Sequence, residues 1–198
     1  MTEYKFKNGH TLQVVQDRYC ESPRGTFENL ATMVFFGKHK DIGDEHNVEL
    51  VDSYSSRYDF ADNGAVYVKK VLDAAICLPV NYYEHGGCGV SLSNEYPFNC
   101  RWDSGTIGFA VVTKDAIREE YGVKRISSKL VDKAMVTLES EVRMLNDFLS
   151  GNVYQYNLLD ENGNEIDSCS GFYGSDPLEN GMADSIEDFF INFQNFPF

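Results

Sequence analysis

The run SSKLVDKAMVTLESEVRMLNDFLSG, residues 127–151, decides how the rest of the chain is read. Val131, Met135, Leu138, Val142, Leu145 and Leu149 recur at alternating spacings of four and three. On a helix of about 3.6 residues per turn this is one apolar stripe. Ser127 stands where an N-cap belongs and Gly151 where a helix ends. The sequence therefore predicts a long amphipathic helix over about residues 127–150. A helix with one apolar face needs a surface to cover, and the flanking sequence supplies strands.

Downstream, Val153–Leu159 and Glu165–Cys169 flank Asn162-Gly163, and upstream Tyr4–Phe6 and Thr11–Gln16 flank Asn8-Gly9. Asn-Gly accepts the positive φ angles of a tight turn, so each pair predicts a hairpin. Leu30–Phe36 is continuously apolar and Thr106–Val112 is β-branched, as strands buried on both faces require. Ile76–Tyr83 predicts a strand that Pro79 forces to an edge or a bulge. The Gly86-Gly87 pair turns the chain into Gly89–Ser93.

Thr113 is placed to cap a short helix reaching Tyr121, with Gly122 as its stop, and Asp184–Phe193 has the pattern of a second, C-terminal helix. Residues 20–29 and 37–47 are polar and predict loops, whereas 65–75 fits helix and strand equally. Hairpins interleaved with separated helices give an α+β fold, an antiparallel sheet with the long helix packed on it, as one domain over residues 1–198.

Apolar residues make up 42% of the chain, enough for an ordinary core without disulfides. No apolar run approaches a membrane span, and Met1-Thr2-Glu3-Tyr4 does not begin a basic-then-apolar leader. With an odd cysteine count of five, the expectation is a cytoplasmic protein with reduced thiols. The net charge of −14 opposes direct binding to nucleic acid or an anionic membrane and favours a basic protein partner.

That charge is uneven. The last 48 residues hold nine carboxylates and no Lys or Arg: Asp160, Glu161, Glu165, Asp167, Asp176, Glu179, Asp184, Glu187 and Asp188. They alternate with Tyr154, Tyr156, Phe172, Tyr173, Phe189 and Phe190. A face of this kind is matched to a basic groove built for phosphates, where opposite charge speeds encounter. The same pattern also serves as a solvated, solubilising face.

A second constellation is His85-x-x-Cys88 followed by Cys100-x-x-Asp103. Thiolate, imidazole and carboxylate in two closely spaced pairs is a donor set suited to a structural zinc. A hairpin with two unrelated thiols is the competing reading. Asp41, Asp44, Glu45 and His46 around Gly43 offer hard donors to a divalent ion, or form a solvated loop. No Gly-x-Ser-x-Gly elbow, phosphate loop or dinucleotide fingerprint occurs. The enzyme alternative is thus a metal-dependent one centred on His85 and Asp103.

Several strings occur together: Glu21-Ser22-Pro23-Arg24, Asn29-Leu30-Ala31-Thr32-Met33, Ile42-Gly43-Asp44-Glu45-His46, Leu78-Pro79, and Tyr83-Glu84-His85-Gly86. Trp102-Asp103-Ser104-Gly105-x-x-Gly108, Glu120-Tyr121-Gly122 and Ser168-Cys169-x-Gly171-Phe172-Tyr173-Gly174 complete the set. The combination resembles a family of small proteins carried by phages, prophages and mobile elements of Gram-positive bacteria, over most of residues 20–176. By that resemblance His85 and Asp103 are regular features and Cys88 is not. Phe27-Glu28 stands where other members have Trp-Asp, and Ser170 where they have an aromatic residue. The resemblance implies a counter-defence factor in the host cytosol, foremost an anti-CRISPR inhibitor; a phage accessory protein with no defence target is the alternative. Such an inhibitor would bind a type II Cas nuclease, or another basic nucleic-acid-binding host protein, and block target DNA loading as a DNA mimic.

Overall fold

The computed structural model describes residues 1–50, 56, 59–84, 86–92 and 104–186. The fold is α+β, built on two antiparallel sheets. In chain order the elements are β1 (Thr2–Lys5), β2 (Thr11–Gln16), α1 (Pro23–Thr26), β3 (Thr32–Phe35), α2 (Ala65–Val71), β4 (Ala74–Glu84), β5 (Cys88–Leu92) and β6 (Ser104–Thr113). There follow α3 (Lys114–Glu120), α4 (Ser128–Leu149), β7 (Val153–Leu159), β8 (Glu165–Tyr173) and α5 (Met182–Ser185). A 3-10 turn, Gly37–Ile42, follows β3, and a π-helical turn, Phe60–Gly64, leads into α2. Within its 198 residues the chain divides into two compact units, Pro23–Asn146, and Met1–Ser22 with Asp147–Phe198.

Pro23–Asn146 is organised by the sheet β3-β6-β4-β5. Its central strand β6 is buried without a break from Ile107 to Val112. One face of the sheet gathers Val34, Phe109 and Val111 with Val48, Val68 and Ala74. Alternate residues Met33, Phe35, Ala110 and Val112 point to the other face and are buried as well. Burial on both faces is why these strands are apolar at successive positions rather than at every second one. β4 accommodates Pro79 as expected. Among the described residues β5 pairs β4 over Val80–Glu84, and Pro79 lies just before that pairing, next to a register shift between Val80 and Asn81.

The long helix is realised as Ser128–Leu149; Leu138, Val142 and Leu145 of the predicted stripe are buried, Val131, Met135 and Leu149 are half-buried, and Ala134 and Glu141 are buried beside them. The Thr113 hydroxyl accepts from the Ala116 N–H at 3.0 Å and caps α3 as its sequence predicts. The 65–75 stretch resolves into both of its readings in succession: α2 ends at Val71 and β4 begins at Ala74.

The second unit is organised by the sheet β1-β2-β7-β8. β2 and β7 pair in register from Thr11↔Leu159 to Gln16↔Tyr154, although far apart in sequence. Both hairpins form, with Gly9 at φ 88° and Gly163 at φ 83° supplying the left-handed residue that the turn requires. Here one face is buried: Leu12, Val14, Tyr156, Leu158 and Phe172 pack with Met182, Ala183 and Ile186. Gln13, Gln155 and Asn157 alternate to the other face, the one-sided pattern of an antiparallel sheet.

Three expectations change. The loop over residues 20–29 contains the helical turn α1, and that over 37–47 contains the 3-10 turn. Both are single turns too short to carry a periodic signal. The helix expected at Asp184–Phe193 starts earlier, as α5 at Met182–Ser185, and the stretch from Glu187 onward lies outside the described residues.

Candidate functional site

The acidic residues of the second unit fall into two groups. Asp160 organises the β7–β8 turn: its carboxylate accepts from the N–H groups of Asn162 and Asn164, both at 2.8 Å, and from Asn164 Nδ2 at 2.9 Å. The bonds from Asn164 and then Asn162 hold its carboxyl below the usual range. Asp176 does similar work, accepting from the Leu178 N–H at 2.9 Å. The second group faces outward. Every residue from Glu161 to Ser170 is exposed, including Glu165 and Asp167 on β8, and so are Glu179 and Asp184. Asp167 also accepts from the Tyr156 hydroxyl at 2.7 Å. Burial, then that contact with Asp167, pushes the Tyr156 phenol up. Among the described residues β8 has β7 on one side and forms the edge of its sheet. Glu187 and Asp188 lie outside the described residues.

Of the zinc quartet, His85, Cys100 and Asp103 lie outside the described residues. Cys88 opens β5 directly across from Glu84, so both side chains project to the same face, which is also that of Tyr82. Among the described residues no group of three or more His, Cys, Asp or Glu is disposed to hold a metal ion.

The Asp44/His46 loop is instead part of a buried polar network. The Arg24 guanidinium, its side chain 6% exposed, grips Asp44 with two bonds, Nε to Oδ1 at 3.0 Å and Nη2 to Oδ2 at 2.5 Å. It also donates to Glu141 on α4 at 2.9 Å and to the Ala31 carbonyl at 2.6 Å. Glu141 in turn accepts from the N–H groups of Leu30 and Ala31, and Asp44 from that of Met33. His46 donates from Nε2 to the Phe35 carbonyl at 2.8 Å and accepts at Nδ1 from the Val48 N–H at 3.3 Å. Gly43 is needed because a Cβ there would lie 2.6 Å from the Met33 carbonyl oxygen. The strings around Arg24, Ala31–Met33 and Gly43–His46 thus meet as one structural knot.

A cleft that no sequence signal marked lies in the Pro23–Asn146 unit, where β3 gives way to the 3-10 turn. Its volume is about 590 Å³, and its walls include Phe36, Phe60, His39 and Tyr82. The His39 and Tyr82 rings meet at 4.3 Å with their planes tilted by 48°, and Phe60 packs on Phe109 at 5.2 Å. Lys38 and Glu84 sit at the rim, paired at 3.4 Å. β6 bulges here, for Val80 opposes Gly108 and Asn81 opposes Thr106, with Ile107 looped between. Burial, then the Lys38 charge, lowers the His39 pKa and favours the neutral ring. Burial, then Cys88 and Glu84, raises the Tyr82 phenol to about 12.

No family model, curated protein or solved structure matches this chain. The described residues present an exposed acidic strand edge on one unit and an aromatic cleft on the other. No helix among them is long and apolar enough to cross a membrane.

Proposed function

We propose that this chain is a counter-defence protein that binds a basic nucleic-acid-binding protein through the β7–β8 hairpin, with a guide-loaded type II Cas nuclease as the partner. One observation carries the reading. Ten consecutive exposed residues, Glu161–Ser170, form a turn and edge strand that bear Glu161, Glu165 and Asp167. No Lys or Arg follows Arg143 anywhere in the sequence, so no local cation neutralises this edge in the chain direction. Asp167 lies opposite Leu158 and Glu165 opposite Leu159, so the bulge between them presents exposed carboxylates on both faces of this edge, and a Lys/Arg-lined channel attracts such charge as it attracts phosphates. The nuclease class comes from the resemblance of the sequence strings to phage and prophage proteins. The chain would act stoichiometrically, by occupying the channel before DNA does.

Titrating the purified chain into a guide-loaded type II Cas nuclease, with DNA cleavage as the readout, tests this. Inhibition should saturate at equimolar chain and weaken as salt screens the charges. The variant Glu161→Gln/Glu165→Gln/Asp167→Asn should weaken it by about tenfold or more, as loss of close charge pairs does at other interfaces. Unaltered inhibition by that variant rejects charge mimicry. No inhibition, together with capture of no nucleic-acid enzyme from a host lysate, rejects the function itself.

A further inference from the structure

We propose that the cleft beside Tyr82 binds a planar heteroaromatic ligand of nucleoside size, stacked on the Tyr82 ring with the tilted His39 ring at its edge. This site is separate from the acidic hairpin and does not depend on the function proposed above. Three features converge on that ligand chemistry.

The first is shape. A volume of about 590 Å³ lies within the range of small-molecule pockets, and aromatic rings supply its apolar walls. Such walls favour a flat ring over a branched aliphatic group.

The second is the strand edge. β3 pairs β6 only over Gly108–Val111, and the chain then departs into the 3-10 turn. On that side Gly105 and Thr106, both lining the cleft, have no strand partner among the described residues. A strand edge offers alternating N–H donors and C=O acceptors, which suits the mixed donor and acceptor edge of a nucleobase.

The third is charge. Glu84 at the rim is an acceptor for sugar hydroxyls, and Lys38, the one rim ammonium among the described residues, is already paired to it. Among the described lining residues no unpaired cation is left for a phosphate, which favours the nucleoside over the nucleotide. The neutral state favoured at His39 adds a ring nitrogen that accepts and one that donates.

Gly105 provides the test. It lies opposite Tyr82 in the sheet, and a Cβ added there meets nothing within 4 Å. Gly105→Leu therefore projects into the cleft without displacing the core. Adenosine, guanosine, cytidine and uridine are each titrated calorimetrically into the full chain. At least one should bind one-to-one, and its 5′-monophosphate should bind more weakly. Gly105→Leu should reduce binding with an unchanged melting temperature, and Tyr82→Ala should reduce it by about tenfold or more, as loss of one base-stacking ring does. Absence of saturable binding by all four nucleosides overturns the proposal. So does binding that both variants leave intact, and equal or tighter binding of the monophosphate overturns the choice of nucleoside.

Discussion

Arg24 joins segments that sequence separates, and its environment sets the consequence of losing it. Its guanidinium holds Asp44 and Glu141, whose side chains are 20% and 9% exposed. Removing one member of a buried network leaves its partners charged and unpaired, at a cost of about 3–5 kcal/mol. Arg24→Met is therefore expected to lower the urea midpoint by that free energy, with the denaturant slope unchanged. An effect no larger than that of an exposed substitution would show that water compensates the two carboxylates. His46 belongs to the same class of residue. With one ring nitrogen donating and the other accepting, its tautomer is fixed and it serves the backbone instead of an ion.

Tyr82 carries a pH dependence whose sign follows from its surroundings. Its phenol is raised from 10.0 to about 12, so the folded protein holds this proton more tightly than the unfolded chain does. The stabilisation it contributes is complete below pH 10 and is lost as pH rises toward 12. Phenolate absorbance should show late-titrating tyrosines, Tyr156 among them; Tyr82→Phe should remove one of these, and the variant's stability should fall less steeply over the same alkaline window. An unchanged titration curve in the variant would place the late phenol elsewhere.

Among the elements, α4 separates pattern from exposure most cleanly. Leu138 is fully buried on its stripe, whereas Val136, two residues away, is 66% exposed. Leu138→Ala should cost about 2–5 kcal/mol through lost burial and the cavity left behind. Val136→Ala should stay within about 0.5 kcal/mol of neutral. Urea denaturation of the pair checks both, and comparable losses would mean that the stripe does not define the buried face. The stripe, the Thr113 cap and the two Asn-Gly hairpins were legible because each depends on local stereochemistry. The single turns α1 and Gly37–Ile42 were not, because a turn of four to six residues has no period to detect. The Phe36–Tyr82 cleft was illegible for another reason. Its walls come from β3, the π-helical turn, β4 and β6, and no spacing in one dimension encodes their convergence.

On the scale of the whole molecule, one screening effect should act in two directions. The chain carries −14, of which nine negative charges lie without any base in the last 48 residues. Like charges repel within the folded state, so raising salt to about 1 M, where the Debye length falls to roughly 3 Å, should raise the melting temperature. The same salt should weaken binding to a basic partner, because that attraction is screened too. Melting curves and partner titrations over one salt series measure both. A melting temperature that falls with added salt would mean that favourable ion pairs outweigh self-repulsion.

By itself the sequence determined the α+β class, the long helix, the hairpins and the lopsided charge. All of these depend on residues close along the chain or on simple sums over it. Tertiary structure alone decided that β2 pairs with β7, and that Arg24, Asp44 and Glu141 neutralise one another. It also decided that Asp160 and Asp176 are spent on turns and that Asp167 bonds the buried Tyr156, while Glu161 and Glu165 stay exposed. The reason is physical: whether a charged side chain is a structural bolt or a binding surface depends on its partners and its access to water. Both are fixed only when distant segments meet.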